Sequence, residues 1–376
     1  MASVLPRFLQ LGGGSVAGLG PLLGRLGIAR PLIVTDPFLA TCGIVERVRG
    51  HLGVDATVYD GTIADPTSAS IDALAATMRE VGADGVVAVG GGSVMDSAKA
   101  AILLAERGGA MRDYKAPAQT NEPLATKLVC VPTTSGTGSE ATRFTIVTDD
   151  GGEKMLCVGD AFVPDAAVCD YELTMGCPKT LTADTGVDAL CHAMEAYVSR
   201  KRNPLADGFA LDALKTIGAD LRGACADEAA GREGMMRASL YAGIAFSASS
   251  VTLIHGMSRP LGARFKVAHG RSNAVLAAGV TAYSLAGAAD RYGDVCAALN
   301  FPTADLPGEL AKLARDLGVP SLAECLAEKG VDAAAFDAQV PVMAAEALAS
   351  GSPANNPTIP SAADVEALYR SIYASG

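Results

Sequence analysis

The chain has 376 residues, of which 49% are hydrophobic, and a formal net charge of -11 at pH 7. This length is sufficient for two ordinary domains, each with a core of its own. The acidic balance argues against a nucleic-acid partner, because phosphate contacts require a clustered basic surface.

The cysteines and the amino-terminal stretch bear on the compartment. Nine cysteines occur without a C-x-x-C pair, which is typical of reduced thiols in a cytoplasmic protein. The stretch MASVLPRFLQ has a proline and an arginine where a secretory peptide needs apolar residues. No later run reaches about 18 apolar residues, the length of a membrane span. We therefore predict a cytoplasmic protein with no membrane partner.

The first half of the chain has the pattern of an α/β domain, because short apolar runs alternate with amphipathic segments up to Pro178. The predicted buried strands are PLIVTD, DATVYD, GVVAVGGGS and KLVCVPTT. The predicted helices that cover this sheet include SIDALAATMREVGA and SVMDSAKAAILLAER, which carry apolar residues at helical spacing. This pattern predicts a first domain over residues 1–178.

Beyond Pro178 the strand-like runs nearly vanish. Long Ala- and Leu-rich stretches follow, such as LTADTGVDALCHAMEAYVSR and PLADGFALDALKTIGADL. They predict an all-helical second domain over residues 179–376. Because ligand sites favour domain interfaces, we expect the catalytic cleft between the two domains.

Three glycine-rich stretches are candidates for a phosphate site, and none of them has the G-x-G-x-x-G fingerprint. They cover residues 12–15, 90–93 and 136–139. The second follows a predicted strand and opens a predicted helix, so its backbone N–H groups can meet a pyrophosphate. An ordinary turn that uses glycine for positive φ is the alternative.

Asp36 directly follows the strand-like run PLIVT. A carboxylate there can accept hydrogen bonds from a ribose and repel a 2′-phosphate, which favours NAD over NADP. A turn aspartate before Pro37 is the alternative.

The histidines are concentrated in the carboxyl half, where three of the four lie: His192, His255 and His269. Asp188 precedes His192 by four residues in a helix-like segment, so both side chains lie on one helix face and can bind one cation. An aspartate with three imidazoles suits Fe²⁺ or Zn²⁺ and leaves a position for a substrate oxygen. From spacing alone, a helix-face pair and unrelated core histidines stay open as the alternative.

Four longer segments occur in this order over nearly the whole chain: GGGSVMDSAK, PTTSGTGSEAT, LTADTGVDALCHAMEAYVS and HGMSRPLGARFKVAHGRSNAV. In these segments the chain resembles the iron-containing (group III) alcohol dehydrogenases. The resemblance implies an amino-terminal dinucleotide-binding domain and a helical, metal-binding carboxyl-terminal domain. It also implies hydride transfer between NAD(H) and a small alcohol or aldehyde, with one divalent ion that polarises the substrate oxygen. We expect a homodimer.

Carried over position by position, the resemblance implies a metal site and a cofactor site. The implied metal ligands are Asp188, His192, His255 and His269. The implied cofactor-binding residues are Asp36, Asp65, Gly91, Gly92, Ser93, Asp96, Thr133, Thr134, Thr142, Phe144, Lys154 and Leu173. Of these, Asp36 is expected at the adenosine ribose, and Gly92, Ser93 and Asp96 around the pyrophosphate. Many members of the family have asparagine at the position of Asp65, and the carboxylate found here would repel phosphates.

Arg259 is a sharper departure, because the family commonly has H-x-x-x-H here and often assigns proton relay to the second histidine. Arginine stays charged at working pH and cannot act as an ordinary general acid or base. Its planar donors favour carboxylate, phosphate or sulfonate groups, so we predict that Arg259 contacts a substrate that bears an anionic group. A structural ion pair is the alternative.

Three other functions stay open at this point. A lyase or cyclase of the dehydroquinate synthase type uses NAD and a divalent ion on a related architecture. Maleylacetate reductases share much of the framework but lack the aspartate ligand, so Asp188 speaks against them. A non-catalytic NAD-binding protein is the third.

Overall fold

The structure is a computed structural model that describes residues 4–375. Residues 1–3 lie outside the described residues. They begin the stretch MASVLPRFLQ, which argues against a secretory peptide. The chain divides into two compact units, Met1–Met175 and Gly176–Gly376. The sequence places the boundary after Pro178.

The described part of the first unit contains eight strands and five α-helices. The strands are β1 (Phe8–Leu11), β2 (Pro31–Val34), β3 (Thr57–Tyr59), β4 (Gly85–Gly90), β5 (Lys127–Pro132), β6 (Phe144–Thr148), β7 (Lys154–Val158) and β8 (Ala166–Cys169). The helices are α1 (Leu19–Leu26), α2 (Pro37–Thr41), α3 (Ile44–Arg49), α4 (Ser68–Val81) and α5 (Gly92–Arg107). The four predicted strands correspond to β2 through β5, and the two predicted helices to α4 and α5.

Six of the strands in residues 4–375 form a parallel sheet with the order β1-β8-β5-β4-β2-β3. The chain winds outward from β2 to β3 and then crosses back to β4 on the other side of β2. The direction of winding therefore reverses between β2 and β4, and ligands of open parallel sheets bind at the carboxyl ends of strands at such a point. Asp36 follows β2 and Gly91 follows β4, so both residues lie at this end of the sheet.

The sheet is buried on both faces, which explains why its central strands are continuous apolar runs. Neighbouring residues of a strand face opposite sides. Leu32 and Val34 of β2 pack in one core with side chains of α4 and α5. Ile33 packs on the opposite face with side chains of α1 and α3. These two cores hold the ends of β2 and β4 in place.

From Gly176 to Ser375 the described residues form ten α-helices and no strand, which confirms the predicted helical half. The helices are α6 (Lys179–Val198), α7 (Pro204–Cys225), α8 (Ala229–Ser249), α9 (Leu253–Phe265), α10 (His269–Ser284), α11 (Ala289–Ala298), α12 (Leu306–Leu317), α13 (Leu322–Ala327), α14 (Ala333–Ala349) and α15 (Ala362–Ala374). No single helix in the described chain is long and apolar enough to cross a membrane; the bent pair α8 and α9 meets the length and composition test but turns by 104°.

Helix α6 lies at the centre of the second unit, packed against α7, α8 and α10. A helix that is apolar on all sides belongs in a core, yet α6 also buries Asp188, His192 and Glu195. Positions four and three residues apart share one helix face, so these polar side chains form one stripe. Buried polar groups require partners, and the partners of this stripe define the candidate site.

Candidate functional site

Four side chains of the second unit bring potential ligand atoms together. Asp188 and His192 lie on α6, His255 lies on α9, and His269 is the first residue of α10. One ligand atom from each residue lies within 4.8 Å of the other three. Asp188 Oδ1 is 3.8 Å from His192 Nε2 and 3.5 Å from His255 Nε2. It is 3.7 Å from His269 Nε2.

These spacings fit a transition-metal cation. Ligand atoms about 2.1 Å from a tetrahedral centre are roughly 3.4 Å apart, close to the 3.5, 3.7 and 3.8 Å found here. One carboxylate and three imidazoles are donors that Fe²⁺ and Zn²⁺ accept. The spacing and the donor types therefore both fit a divalent ion.

Asn273 on α10 supports the same fit. Its Nδ2 atom lies 2.6 Å from Asp188 Oδ1 and 3.1 Å from His255 Nε2. Its Oδ1 atom is buried and has no hydrogen-bond partner in residues 4–375. Buried amides are normally satisfied, so this amide is placed for a polar group beside the ligand atoms.

The electrostatics of the cluster favour an ionised carboxylate. Burial by itself raises the pKa of Asp188, but His192, His269 and His255 outweigh it and hold that pKa well below its ordinary value. Burial lowers the pKa of His255, but the carboxylates of Glu195 and Asp188 together outweigh it and raise that pKa to about 9.

Glu195 is a buried residue that the sequence motifs did not single out. It lies one turn beyond His192 on α6 and is 1% exposed. Its Oε2 atom contacts His255 Nδ1, and its Oε1 atom accepts hydrogen bonds from Thr252 Oγ1 at 2.7 Å and Ile254 N at 2.8 Å. The helical spacing from Asp188 through His192 to Glu195 is the signal that would have found it.

Arg259 lies one turn after His255 on α9. Its Nη1 atom donates a hydrogen bond to Ser352 Oγ at 3.0 Å. Its Nε atom is buried without a hydrogen-bond partner among residues 4–375, and no carboxylate in that part of the chain forms an ion pair with the side chain. Burial lowers the pKa of Arg259, and the charge of Glu195 partly opposes this. The side chain as a whole is only partly buried, so the guanidinium is a partly buried cation with unused donors.

In the first unit, the second glycine-rich stretch occupies the start of α5. Gly91 is the N-cap and Gly92 the first residue of this helix. The first N–H groups of a helix have no carbonyl partner within it, and the helix dipole favours an anion there. A Cβ atom on Gly92 would lie 2.9 Å from Thr137 Cγ2, so a close approach of two loops requires glycine. Ser93 follows in the first turn.

The other two glycine-rich stretches form hydrogen bonds with buried side chains of the protein itself. In the first, Gly14 N and Val16 N donate hydrogen bonds to the carboxylate of Asp170, at 3.1 and 3.3 Å. The third is fixed by Lys99, which is 1% exposed. Lys99 Nζ donates to Ser139 O at 2.7 Å and to Ser139 Oγ at 3.0 Å. Of the three stretches, the second best fits a bound phosphate.

Three of the implied cofactor residues with charged side chains have protein partners. Asp36 is the N-cap of α2, and its Oδ1 atom accepts a hydrogen bond from Leu39 N at 2.9 Å. Asp65 Oδ1 and Lys154 Nζ form an ion pair at 2.6 Å. This lysine neutralises the Asp65 carboxylate, which the resemblance implies would lie near phosphates.

Asp96 is the fourth charged member of this implied set, and its carboxylate is also engaged. It accepts hydrogen bonds from Ser139 Oγ at 2.7 Å and Ile146 N at 3.0 Å. Thr142 is 2% exposed, and both its oxygens accept from Lys99 Nζ at 3.1 Å. These contacts fix the loop that follows β5.

The remaining implied cofactor residues divide between the loop and the core. Thr133 follows β5 and is 7% exposed. Thr134 Oγ1 would lie 3.4 Å from a Cβ atom on Gly91, so the loop borders the start of α5. Phe144 begins β6, and its carbonyl accepts from Lys99 Nζ at 3.0 Å. Leu173 is 3% exposed and packs in the apolar core.

Comparison with protein families assigns both units. Residues 6–171 match the family described as iron-containing alcohol dehydrogenase. Residues 182–373 match the carboxyl-terminal domain of the Fe-containing alcohol dehydrogenase family.

Individual proteins agree with this match. The chain is 36% identical over 372 residues to a 4-hydroxybutyrate dehydrogenase from Cupriavidus necator, covering 95% of each chain. It superposes on a crystal structure of 1,3-propanediol oxidoreductase with a TM-score of 0.92 and 30% identity, covering 99% of each chain. It also resembles sulfoacetaldehyde reductase from Bifidobacterium kashiwanohense in complex with NAD⁺, with a TM-score of 0.89, 25% identity, and coverage of 100% of this chain and 99% of that one.

Proposed function

This chain belongs to the iron-containing alcohol dehydrogenase family, and we propose that it transfers hydride between NAD(H) and a small alcohol or aldehyde that bears an anionic group. The observation that carries the proposal is that the second unit contains both a cluster fit for a divalent ion and a partly buried arginine with unused donors. The family match also favours this activity over the lyase, the maleylacetate reductase and the non-catalytic alternatives.

The metal site comprises Asp188, His192, His255 and His269. Their donor types and spacing support Fe²⁺ or Zn²⁺, and such an ion acts as a Lewis acid on an alcohol or carbonyl oxygen. The chain contributes one ionised carboxylate and three imidazoles on three helices. Asp188, His192 and His255 are buried, which strengthens the electrostatic interactions of their ligand atoms, while His269 is partly exposed.

The cofactor site lies in the first unit, at the switch point of its sheet. Gly91, Gly92 and Ser93 at the start of α5 are suited to the pyrophosphate of NAD(H), which supplies or accepts the hydride. Asp36, at the end of β2, is suited to a ribose hydroxyl and disfavours a 2′-phosphate.

Arg259 is the proposed substrate contact. A guanidinium presents donors in a planar fork that matches a carboxylate or sulfonate. Ser352, which is 4% exposed, already holds Nη1 and limits the orientation of this fork. The names of two relatives refer to 4-hydroxybutyrate and sulfoacetaldehyde, which bear a carboxylate and a sulfonate. Because arginine stays protonated at working pH, the proton of the reaction must come from another donor.

We also propose a cytoplasmic homodimer that binds neither nucleic acid nor membranes. Strand β1 is an edge strand in the described sheet, and Leu9 and Leu11 on it are 44% and 42% exposed. An exposed apolar edge strand is a template for pairing with another chain, and a second copy of this chain fits it. Sedimentation equilibrium of the wild type, and of a Leu9→Lys variant expected to dissociate, tests this assembly.

The activity is tested on protein purified without oxygen. We expect one Fe²⁺ or Zn²⁺ per chain and NADH oxidation with short aldehydes, faster with 4-oxobutanoate than with neutral pentanal. Dialysis against a chelator removes the ion and the activity together, and returning the ion restores both. Full activity in metal-depleted protein, or no NADH oxidation with either aldehyde by metal-loaded protein, contradicts the proposal.

A further inference from the structure

The carboxylate of Glu195 connects the metal cluster with the start of α9. One oxygen, Oε2, contacts His255 Nδ1. The other accepts from the hydroxyl of Thr252, the N-cap residue of α9, and from the N–H group of Ile254 in its first turn. Since helix α6 supplies Glu195 and α9 supplies His255, one side chain fixes both a histidine ring and the helix that carries it.

The chemistry of this contact determines which imidazole nitrogen bears the proton. An ionised carboxylate can only accept hydrogen bonds, so the nitrogen that faces it must be the donor. In a neutral imidazole the other nitrogen then has the lone pair. For His255 that other nitrogen is Nε2, which lies 3.5 Å from Asp188 Oδ1 within the ligand cluster.

We propose that Glu195 is a positioning residue that holds His255 as its Nδ1–H tautomer and directs the Nε2 lone pair at the metal. This inference rests on the proposed role of His255 as a metal ligand. Carboxylate partners of this kind fix ring orientation and raise ligand basicity, and their loss typically lowers metal affinity roughly 10- to 100-fold.

Glu195→Gln is the sharpest variant, because it keeps the size of the side chain and changes only the acceptor. Its oxygen can still accept from Ile254 N, which leaves the NH₂ group facing His255 Nδ1. That donor stabilises the wrong tautomer, with the proton on Nε2. We expect Zn²⁺ affinity, measured by competition with a chromophoric chelator, to fall roughly 10- to 100-fold. Glu195→Asp, which restores the charge, should recover part of the loss.

Glu309→Gln is the matched control. Glu309 is also buried, at 8% exposed, and accepts a hydrogen bond from Thr303 at 2.8 Å rather than contacting a ligand. The same substitution there should leave Zn²⁺ affinity unchanged. Thr252→Val removes one donor to the Glu195 carboxylate and should weaken Zn²⁺ binding less than Glu195→Gln does.

A measurement on the wild type separates this inference from the proposed function. The chain has four histidines, so ¹⁵N-histidine labelling of Zn²⁺-loaded protein gives few imidazole signals. We expect His255 to bear its proton on Nδ1. A wild type that binds no Zn²⁺ contradicts the metal site itself. Tight Zn²⁺ binding by a folded Glu195→Gln variant, or a His255 Nδ1 without a proton, overturns the role of Glu195 alone. If the glutamine variant does not fold, the labelling result decides.

Discussion

Lys99 in the first unit is a buried cation and Arg259 in the second is a partly buried one, and the two differ in how their donors are used. Lys99 Nζ in the first unit meets five oxygens, at 2.7 to 3.1 Å, on Ser139, Thr142 and Phe144. An ammonium has three donors, so this cation is saturated. Arg259 in the second unit has five donors, and its bond to Ser352 leaves a buried Nε without a partner in the described chain.

This difference distinguishes a cation that stabilises the fold from one that is available to bind a ligand. A buried donor that lacks a partner costs about 1–3 kcal/mol, and we interpret the unpaired Nε of Arg259 as a position for a group outside the chain. A saturated cation has no donor left for a ligand and acts by fixing its neighbours. Lys99 therefore holds the loop beside the proposed cofactor site, and Arg259 has donors available for the proposed anionic substrate.

The largest effect is expected at the metal ligands. Asp188→Ala removes the only carboxylate among the four proposed ligands, and we expect loss of bound metal and of turnover in a folded protein. NADH binding, which we assign to the first unit, should persist and is measured by fluorescence. Asp184→Asn, one turn earlier on α6 and bonded to Arg271, is the control and should keep its metal. Turnover by Asp188→Ala with an empty metal site would show that the metal cluster of the second unit is not needed for catalysis.

Replacing Lys99 and Arg259 separately with methionine tests the comparison directly. Lys99→Met leaves the carbonyls of Ser139, Thr142 and Phe144 without this donor, and at about 1–3 kcal/mol for each group we expect at least about 3 kcal/mol of lost stability. Arg259→Met removes a partly buried charge that has no carboxylate partner in the described chain, and because such a charge is costly to desolvate we expect little loss of stability. Urea unfolding of both variants measures the two free energies. Equal destabilisation would mean that Arg259 is as structural as Lys99.

Glu140, on the loop that Lys99 fixes, provides a test by pH. Burial raises its pKa from 4.5 to about 7, although its own backbone N–H and Lys99 lower it. Since the folded-state pKa exceeds the unfolded one, the stabilising contribution of Glu140 is complete below about 4.5 and is lost as pH rises through about 7. Glu140→Gln stays neutral, so between pH 4.5 and 8 the wild type should lose about 3 kcal/mol relative to it. Parallel urea stability profiles for the two proteins would contradict this assignment.

Arg259 should also determine substrate preference. A charge-assisted contact contributes about 1.5–3 kcal/mol, which corresponds to roughly ten- to a hundredfold in kcat/KM for an anionic over a neutral aldehyde. Arg259→Lys keeps the charge without the planar fork and should lose much of this preference. Arg259→His should favour neutral substrates. An identical ratio of kcat/KM for 4-oxobutanoate and pentanal in all three proteins would make Arg259 structural.

The sequence predicts the fold best where a strand is a continuous run of apolar, buried residues. Strands β2 to β5 are apolar runs between helices of clear periodicity, and all were predicted. Strand β8 (AAVC) is fully buried but too short and alanine-rich to distinguish from helix. Strand β1 alternates half-buried and exposed residues at the edge of the sheet, and the hairpin of β6 and β7 lies outside it. Neither has a strong sequence pattern.

The candidate site was predictable where a residue type is rare. With four histidines in the chain, three close to one aspartate in the second half were conspicuous. Glu195 and Lys99 were missed because both types usually lie at the surface of helices, and only the packing of α6 and α5 shows that they are buried. The cofactor contacts that the resemblance implies for Asp96 and Thr142 stay predictions; within the protein, the polar atoms of these residues contact Ser139, Ile146 and Lys99.

The smallest effect is expected at Asp36, whose carboxylate has both a structural role and a proposed role in binding the cofactor. Its Oδ1 atom caps α2 through Leu39 N, so part of the carboxylate is architectural, while its place at the end of β2 suits a ribose. Asp36→Ser separates the two roles, because serine keeps an N-cap oxygen but removes the charge. Asp36→Gly removes both, at a stability cost of only about a few tenths of a kcal/mol for glycine at an N-cap. We expect the wild type to prefer NADH over NADPH. Both variants should reduce this preference for NADH by about 1–2 kcal/mol, or roughly 5- to 30-fold in the ratio of kcat/KM for NADH to kcat/KM for NADPH. If Asp36→Ser keeps the wild-type ratio, the carboxylate does not face the cofactor, and Asp36, like Lys99, serves only to hold its loop.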